Sequence, residues 1–189
     1  MSAPAAADRL RLFLALDLPA GARAALAGWR DAAVRDRAGL RPVADEALHV
    51  TLVFLGGRPQ AAVRRIWRIA ESSLAGLPAP ELSPAGYRLV PSRRPRVLAV
   101  DLEDAGGRAS VVHEALASAL ERAGLYEPER RTFWPHVTAA RVRSRATLGS
   151  VEAPKPPVGS FTATEVTLYR SDLHPAGARY VALERLELH

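Results

Sequence analysis

Two short stretches of the chain carry the same three residues in an order that can do chemistry. His49-Val50-Thr51 and His136-Val137-Thr138 each lie in an apolar segment that is typical of a β-strand. Because successive side chains of a strand point to opposite faces, the His and the Thr of each triplet share one face. The other face of the first strand is assigned to the core: Leu48, Val50, Leu52 and Phe54. The two triplets are therefore candidate polar sites, the first of them backed by a core face.

If the two polar faces meet across a cleft, two imidazoles flank one site. Histidine titrates near neutral pH, so one ring can be neutral while the other carries a proton. In a phosphodiester displacement, one ring takes the proton of the attacking oxygen and the other gives a proton to the leaving oxygen. The two hydroxyl groups can donate to non-bridging phosphate oxygens. The pattern therefore favours phosphodiester chemistry that needs no metal and no other cofactor.

The three remaining histidines are weaker candidates. His113 is expected at the surface or boundary of a helix, His174 in a loop, and His189 is the C-terminal residue. A zinc site built from His49, His136 and a carboxylate stays open as a minor alternative.

Composition disfavours several other function classes. The 189-residue chain has no cysteine, which excludes disulfides, thiolate zinc sites and thiol nucleophiles. Neither a Gly-rich nucleotide-binding motif nor a G-x-S-x-G elbow occurs. The only lysine, Lys155, lies between prolines, which is a poor position for the activated amine of an ATP-dependent ligase.

Charge and hydropathy indicate the setting of the protein. The net charge of +6 favours an anionic partner. However, 25 of the 26 basic residues are arginine, and this skew also fits the base composition of a genome. No apolar run of about 18 residues and no signal-peptide pattern occurs. We expect a cytoplasmic protein without a membrane partner, and a monomer is the default.

The element order along the chain is predicted as β-α-β-α-β-β-α-β-β-β after a disordered leader at residues 1–8. Helices are expected after Pro19, Pro59 and Gly107. Strands are expected near residues 9–18, 48–55, 87–90, 97–102, 135–142, 161–169 and 179–188. The first of these alternates Leu with other residues and is predicted to be half-buried.

This mixture of strands and helices predicts an α+β fold with largely antiparallel sheets. The two His-Val-Thr triplets are 87 positions apart. Their echo suggests a two-lobe arrangement of residues 9–189, a single domain in which one histidine strand from each lobe faces a shared central groove. We detect no tandem repeat beyond this echo.

Together these features resemble the 2H phosphoesterase superfamily, and within it the bacterial and archaeal RNA 2′,3′-cyclic phosphodiesterases, also called 2′-5′ RNA ligases. The resemblance rests on the paired His-Val-Thr strands, with Phe-Leu-Gly after the first and Pro135 before the second. It covers nearly the whole chain and includes three further segments: Arg11–Pro19, Arg41–Val43 and Val166–Ser171. The two motifs together are specific, whereas either alone is weak.

The resemblance implies a bilobal, pseudo-symmetric fold with the helices outside the sheets. It implies hydrolysis of a 2′,3′-cyclic phosphate at an RNA 3′ end to a 2′-phosphomonoester, with tRNA halves among the candidate partners. ATP-independent 2′-5′ RNA ligation is the related reaction in the family. By this resemblance His49 is the general acid that protonates the leaving 3′ oxygen, and His136 is the general base that activates water. Thr51 and Thr138 hold the phosphate.

Four further features are left open as phosphate or RNA contacts. Arg141 matches a basic position of the family, but strict alternation puts it on the face opposite the second His-Thr pair unless the strand bulges or ends. Phe54 meets the same objection, and packing in the core is its simpler interpretation. Tyr169 is a candidate for RNA contact. The Arg93–Arg96 loop is either a solvated hairpin loop or a phosphate contact.

Two other functions remain as alternatives. One is an RNA-binding module of the same fold without turnover, which the two intact His-Thr pairs disfavour. The other is a phosphodiesterase that acts on small cyclic nucleotides or on 2′-5′ oligonucleotides.

Overall fold

The structure is a computed structural model that describes residues 9–144, 146, 148, 151–174 and 177–189. The three α-helices of this part of the chain are α1 (Ala20–Val34), α2 (Val63–Leu74) and α3 (Arg108–Arg122). The strands are β1 (Arg9–Asp17), β2 (Leu40–Pro42), β3 (His49–Pro59), β4 (Glu81–Val90), β5 (Val97–Ala105), β6 (His136–Val142), β7 (Phe161–Thr162), β8 (Glu165–Asp172) and β9 (Arg179–Glu187). The predicted leader at residues 1–8 lies outside the described residues.

All of these strands belong to one antiparallel sheet. Its order is β7-β4-β5-β6-β3-β1-β8-β9, and β2 pairs with the free end of β6. The α+β prediction is confirmed. The short strand β2 was not predicted, because three residues that end in a proline carry no alternation.

The sheet is almost divided at its centre. Strands β3 and β6 pair through Val50 and Val137 alone, whereas the neighbouring pairs β1–β3 and β5–β6 run for most of their length. The two predicted sheets are thus two halves of one sheet, joined at the point where the two His-Val-Thr triplets lie side by side.

The helices cover one face of this sheet. Leu26 of α1, Ile66 of α2 and Leu116 of α3 belong to the same buried cluster as Val50 and Val137. The opposite face carries a second, smaller cluster in which Phe13, Ala15 and Tyr169 pack together. The side chains that face away from the helices are therefore free to form a site.

Strand β1 shows that both faces of the sheet are covered at its centre. The two predicted faces of β1 are confirmed, since Leu12, Leu14 and Leu16 join the large cluster and Phe13 joins the small one. The prediction that β1 is half-buried was wrong for most of the strand, because every residue from Leu12 to Asp17 is buried. Aromatic rings from β8 and β9 cover the second face of β1, which the alternating pattern had assigned to solvent.

Candidate active site

The single contact between β3 and β6 brings the two predicted pairs together. Val50 and Val137 are opposite each other and fully buried. Because side chains alternate along a strand, the His and Thr neighbours of both valines lie on the face away from the core. The antiparallel register sets His49 toward Thr138 and Thr51 toward His136. The two triplets are thus related by an approximate twofold axis through the valine pair.

The ring of His49 is held by one residue of β3 and by one residue that precedes the strand. Its Nε2 lies 3.1 Å from Oγ1 of Thr51. The backbone of Ala47, two residues earlier, accepts a hydrogen bond from the ring. Three aromatic rings pack around it, with Phe13, Tyr180 and Tyr169 at centroid distances of 5.0, 5.3 and 6.1 Å. The imidazole therefore lies in an apolar pocket with Nε2 turned to the threonine.

His136 is fixed by the same kind of backbone contact in a different pocket. Its Nδ1 donates to the carbonyl of Trp134, again two residues earlier, at 2.8 Å. The indole of Trp134 stacks on the ring with 4.0 Å between centroids and 12° between planes. Since Nδ1 carries the hydrogen of this bond, Nε2 is the atom of His136 that can take or give a proton in the site.

Each histidine faces an aspartate on the neighbouring strand. Asp17 of β1 is the register partner of His49, and Asp101 of β5 is the register partner of His136. Both carboxylates raise the proton affinity of their histidine. Neither was a predicted site residue.

A second echo in the sequence marks these two aspartates. Leu14–Leu18 reads Leu-Ala-Leu-Asp-Leu and Leu98–Leu102 reads Leu-Ala-Val-Asp-Leu. In both copies the alanine is opposite the threonine of the triplet and the aspartate is opposite the histidine. The similarity between the two halves therefore extends beyond the triplets to the strands that flank them, which the sequence analysis did not identify.

Burial dominates the proton affinities of both imidazoles. For His49, burial lowers the pKa to about 4, against an opposing effect of Asp17, and the charges of His136 and Arg141 lower it further. For His136, burial also lowers the pKa, Asp101 opposes the shift, and Arg131 and Arg88 add to it. In the free protein both rings are therefore neutral at pH 7.

A bulge in β6 turns Arg141 toward the site. The register between β5 and β6 shifts between Leu98 and Ala99, so that Ala139 has no partner in β5. Ala139 and Ala140 are both buried, and alternation resumes one residue later with Arg141 exposed. The condition under which Arg141 reaches the face of His136 and Thr138 is thus met, and its charge acts on His49.

The same bulge occurs in β3 and corrects the placement of Phe54. Leu52 has no partner in β1, and both Leu52 and Val53 are buried. Phe54, which strict alternation assigned to the core, is 40% exposed, and the guanidinium carbon of Arg11 lies 4.7 Å from its ring centroid. Phe54 and Arg141 thus occupy equivalent positions, each five residues after its histidine.

Of the other two predicted RNA contacts, the basic loop is exposed and Tyr169 is buried. The Arg93–Arg96 loop joins β4 to β5 and is exposed, and the carbonyl of Arg96 accepts a hydrogen bond from the backbone of Val142 at 2.8 Å. This places the basic loop beside the end of β6 that carries Arg141. Tyr169 is buried instead, and its hydroxyl donates to Asp17 at 2.7 Å.

The remaining candidate features lie away from this face. His113 is half-buried between α3 and β3, where its ring contacts the carbonyl of Leu52 at 2.9 Å and stacks on Phe133. Within the described ranges, no group of three His, Cys, Asp or Glu side chains is placed to hold a metal ion. None of the helices in those ranges is long and apolar enough to cross a membrane.

Comparison with known proteins agrees with this architecture. Residues 18–175 match the family model of the 2′-5′ RNA ligase superfamily. The chain is 33% identical to the RNA 2′,3′-cyclic phosphodiesterase of Methanothermobacter thermautotrophicus over 95% of this chain and 100% of that protein. It is 35% identical to the RNA 2′,3′-cyclic phosphodiesterase of Escherichia coli over 94% of this chain and 96% of that protein.

Solved structures show the same fold. A crystal structure from Thermus thermophilus superposes with a TM-score of 0.81 at 32% identity, over 95% of this chain and 98% of that one. Escherichia coli LigT complexed with 3′-AMP superposes with a TM-score of 0.78 at 30% identity, over 95% of this chain and 98% of that one. The chain belongs to the 2′-5′ RNA ligase superfamily.

Proposed function

We propose that the protein hydrolyses 2′,3′-cyclic phosphates at RNA 3′ ends to 2′-phosphomonoesters by a metal-independent mechanism in which His49 and His136 transfer the protons. The observation that carries the proposal is the twofold placement of two His-Thr pairs on one face of the sheet, about Val50 and Val137. The names of the relatives from Methanothermobacter thermautotrophicus and Escherichia coli support the substrate class.

The proposed reaction needs two proton transfers on opposite sides of the phosphorus. His136 takes a proton from water at Nε2 while the water oxygen bonds to phosphorus. The bond from phosphorus to the 3′ oxygen breaks, and Nε2 of His49 gives its proton to that oxygen. The product is a 2′-phosphomonoester and a free 3′-hydroxyl, and the second proton of the water stays on the phosphate.

Three further groups complete the proposed site. The hydroxyls of Thr51 and Thr138 donate to the non-bridging oxygens, where negative charge is concentrated in the transition state. Arg141, exposed on the same face after the bulge, supplies a positive charge to the phosphate. Exposed arginines of the Arg93–Arg96 loop lie beside it and extend this positive surface along the RNA backbone.

Ligation is the same chemistry with a different nucleophile. A 5′-hydroxyl of a second RNA in place of water forms a 2′-5′ phosphodiester, and the 3′ oxygen leaves as before. No ATP is consumed because the energy of the cyclic phosphate drives the bond formation. The family name supports this second reaction. A cytoplasmic location and a monomeric state stay predictions.

The test is incubation of the purified protein with a short RNA that ends in a 2′,3′-cyclic phosphate, in EDTA and without ATP. The expected product is a 2′-phosphomonoester, identified by its sensitivity to phosphatase and by the position of the phosphate. A 3′-phosphate would reverse the direction of attack and contradict the proposed roles. RNA binding without turnover would favour the non-catalytic RNA-binding module.

Substrate class is tested in the same experiment with two competitors. A mononucleoside 2′,3′-cyclic phosphate and a 2′-5′-linked oligonucleotide are supplied at the same concentration as the RNA. We expect the highest kcat/KM for the RNA, since the basic loop beside Arg141 can contact phosphates beyond the terminal one. A higher value for either competitor would assign the protein to the small cyclic nucleotide or 2′-5′ oligonucleotide alternative.

A further inference from the structure

The two aspartates opposite the histidines have different partners. Asp17 is 7% exposed and accepts hydrogen bonds from two hydroxyl groups of β8. Tyr169 donates to its Oδ1 at 2.7 Å and Thr167 donates to its Oδ2 at 2.8 Å. Both donors are neutral. Among the residues that the structure describes, no Arg or Lys comes within ion-pair distance of this carboxylate.

Asp101 is bound to a cation instead. Arg88 of β4 donates from Nε to Oδ1 of Asp101 at 3.0 Å, and Trp134 donates from Nε1 to the same oxygen at 2.9 Å. The guanidinium of Arg88 also lies over the Trp134 ring, 4.6 Å from its centroid. The carboxylate opposite His136 is therefore paired with a guanidinium, whereas the one opposite His49 has no cation within ion-pair distance among the described residues.

We propose that Asp17 is a positioning residue that makes His49 the proton donor of the reaction, and that Arg88, by pairing with Asp101, weakens the equivalent support for a proton on His136, which acts as the base. This inference rests on the proposed function. An uncompensated carboxylate beside a ring favours its protonated form, whereas a carboxylate paired with a guanidinium does so much less. The two half-sites share a backbone plan and differ in charge, and the charge assigns the two roles.

His49 gains its proton together with the substrate. Burial keeps the ring neutral in the free protein, where its pKa is lowered to about 4. A bound phosphate adds negative charge on one side of the ring while Asp17 supplies it on the other. The two anions together raise the pKa of His49 in the complex.

Other charged groups around His49 oppose or modulate this effect. From β6, the charges of His136 and Arg141 lower the pKa of His49. Glu165 of β8 also forms a hydrogen bond with Asp17. Burial and then this bond raise the pKa of Glu165, because its protonated form donates to the Asp17 carboxylate. Arg185 of β9 pairs with Glu165 at 3.3 Å. The aromatic rings of Tyr169 and Tyr180 complete the surroundings of His49.

Asp17→Asn tests the proposal, because it removes the charge and keeps the shape of the side chain. We expect kcat at pH 7.5 to fall by about tenfold or more. The alkaline limb of the kcat profile is expected to move by about one pH unit to lower pH, with little change in KM. An unchanged alkaline limb, in an enzyme that still hydrolyses the cyclic phosphate, would overturn the inference and leave the proposed function standing.

Thr167→Val is the matched control. It removes one of the hydrogen bonds to Asp17 but leaves the carboxylate charge in place. The alkaline limb is expected to stay where it is in the wild-type enzyme, even if the protein is less stable. If Thr167→Val moves the limb as far as Asp17→Asn does, Asp17 acts through hydrogen bonding and packing alone, and the inference is wrong.

A measurement on the unmodified protein covers the case in which Asp17→Asn fails to fold. The ring resonances of His49 and His136 are followed by NMR against pH, without and with inorganic phosphate. We expect phosphate to raise the pKa of His49 by more than that of His136. A larger rise at His136 would overturn the assignment. Failure of the wild-type protein to hydrolyse cyclic phosphate would instead contradict the proposed function itself. The two outcomes can be told apart because the titration does not depend on turnover.

Discussion

The two His-Val-Thr strands present the same backbone to the site but place their imidazoles in different surroundings. His49 lies in a pocket of three aromatic rings, opposite a buried aspartate that accepts hydrogen bonds from two hydroxyl groups. His136 stacks on one indole, opposite an aspartate that is paired with Arg88. Both rings bond to a carbonyl two residues earlier, so their orientation is shared while their electrostatics are not.

This difference shows how a nearly symmetric scaffold can serve an asymmetric reaction. A hydrolysis with one acid and one base needs two groups of the same kind in opposite protonation states. The duplicated strands provide the same kind of group twice. Two differences separate the histidines in charge. Arg88 pairs with the aspartate opposite His136 only, and Arg141 on one strand stands where Phe54 stands on the other.

The largest expected effect comes from removing either imidazole. His49→Ala and His136→Ala should each lower kcat by at least about 10²-fold in the cyclic phosphate assay, because each transfers one proton in the same step. The kcat of the double variant should be only a little below that of the less active single variant, because one histidine cannot carry out the reaction without the other. His189→Ala, which removes a C-terminal ring, is the matched control.

Two results would contradict this prediction. A mild loss from both single variants would exclude the acid–base pair. Multiplying losses in the double variant would mean that the two rings act independently of each other, in separate steps.

The next effect compares the two equivalent positions that follow the bulges, Arg141 and Phe54. Arg141→Met removes a charge that faces the site and should lower kcat/KM by about tenfold or more, as for the loss of a charged phosphate contact. Phe54→Leu keeps an apolar group at the equivalent position and should cost less. Steady-state kinetics on the same RNA measures both. A larger loss for Phe54→Leu would indicate that the phosphate binds on the His49 side of the twofold axis and not beside Arg141.

The pH profiles should show that substrate changes the proton affinity of His49. Burial lowers the pKa values of both imidazoles in the free protein. The alkaline limb of kcat/KM, which reports the free enzyme, should therefore lie below about pH 6.5. The alkaline limb of kcat reports the complex and should lie at higher pH, since the bound phosphate favours the imidazolium. Coincident limbs would mean that the substrate does not protonate either ring.

Much of the site could be predicted from the sequence because it depends on alternation over short distances. His49 and Thr51, like His136 and Thr138, share a face with a period of two, and the valine between each pair is buried as expected. The failures begin where the period breaks. The bulges at Leu52 and Ala139 change the faces of Phe54 and Arg141, and two consecutive apolar residues in a strand do not reveal which of them lacks a partner.

The two aspartates opposite the histidines could not be predicted from local sequence patterns for a different reason. Asp17 and Asp101 are each opposite their histidine only because of strand register, which short-range patterns do not specify. The echo of Leu14–Leu18 in Leu98–Leu102 was the available signal, since a repeat in flanking strands predicts a repeat in their register. The different charges of the two half-sites arise from Arg88, which lies opposite Ala99, whereas the neutral Thr167 lies opposite the equivalent Ala15.

The smallest expected effect is on folding stability, and it tests the surroundings of His49 without a measurement of catalysis. The pKa of His49 is lowered from 6.5 to about 4 in the folded protein. Between these two pH values the imidazole is protonated in the unfolded chain but neutral in the folded protein. Its contribution to stability is present above pH 6.5 and is lost as the pH falls toward 4. Between pH 7.5 and pH 5 this amounts to roughly 1–2 kcal/mol. Urea unfolding at both pH values should therefore show a smaller pH dependence for His49→Gln than for His189→Gln, and equal dependence would mean that the His49 pocket does not exclude the charged ring.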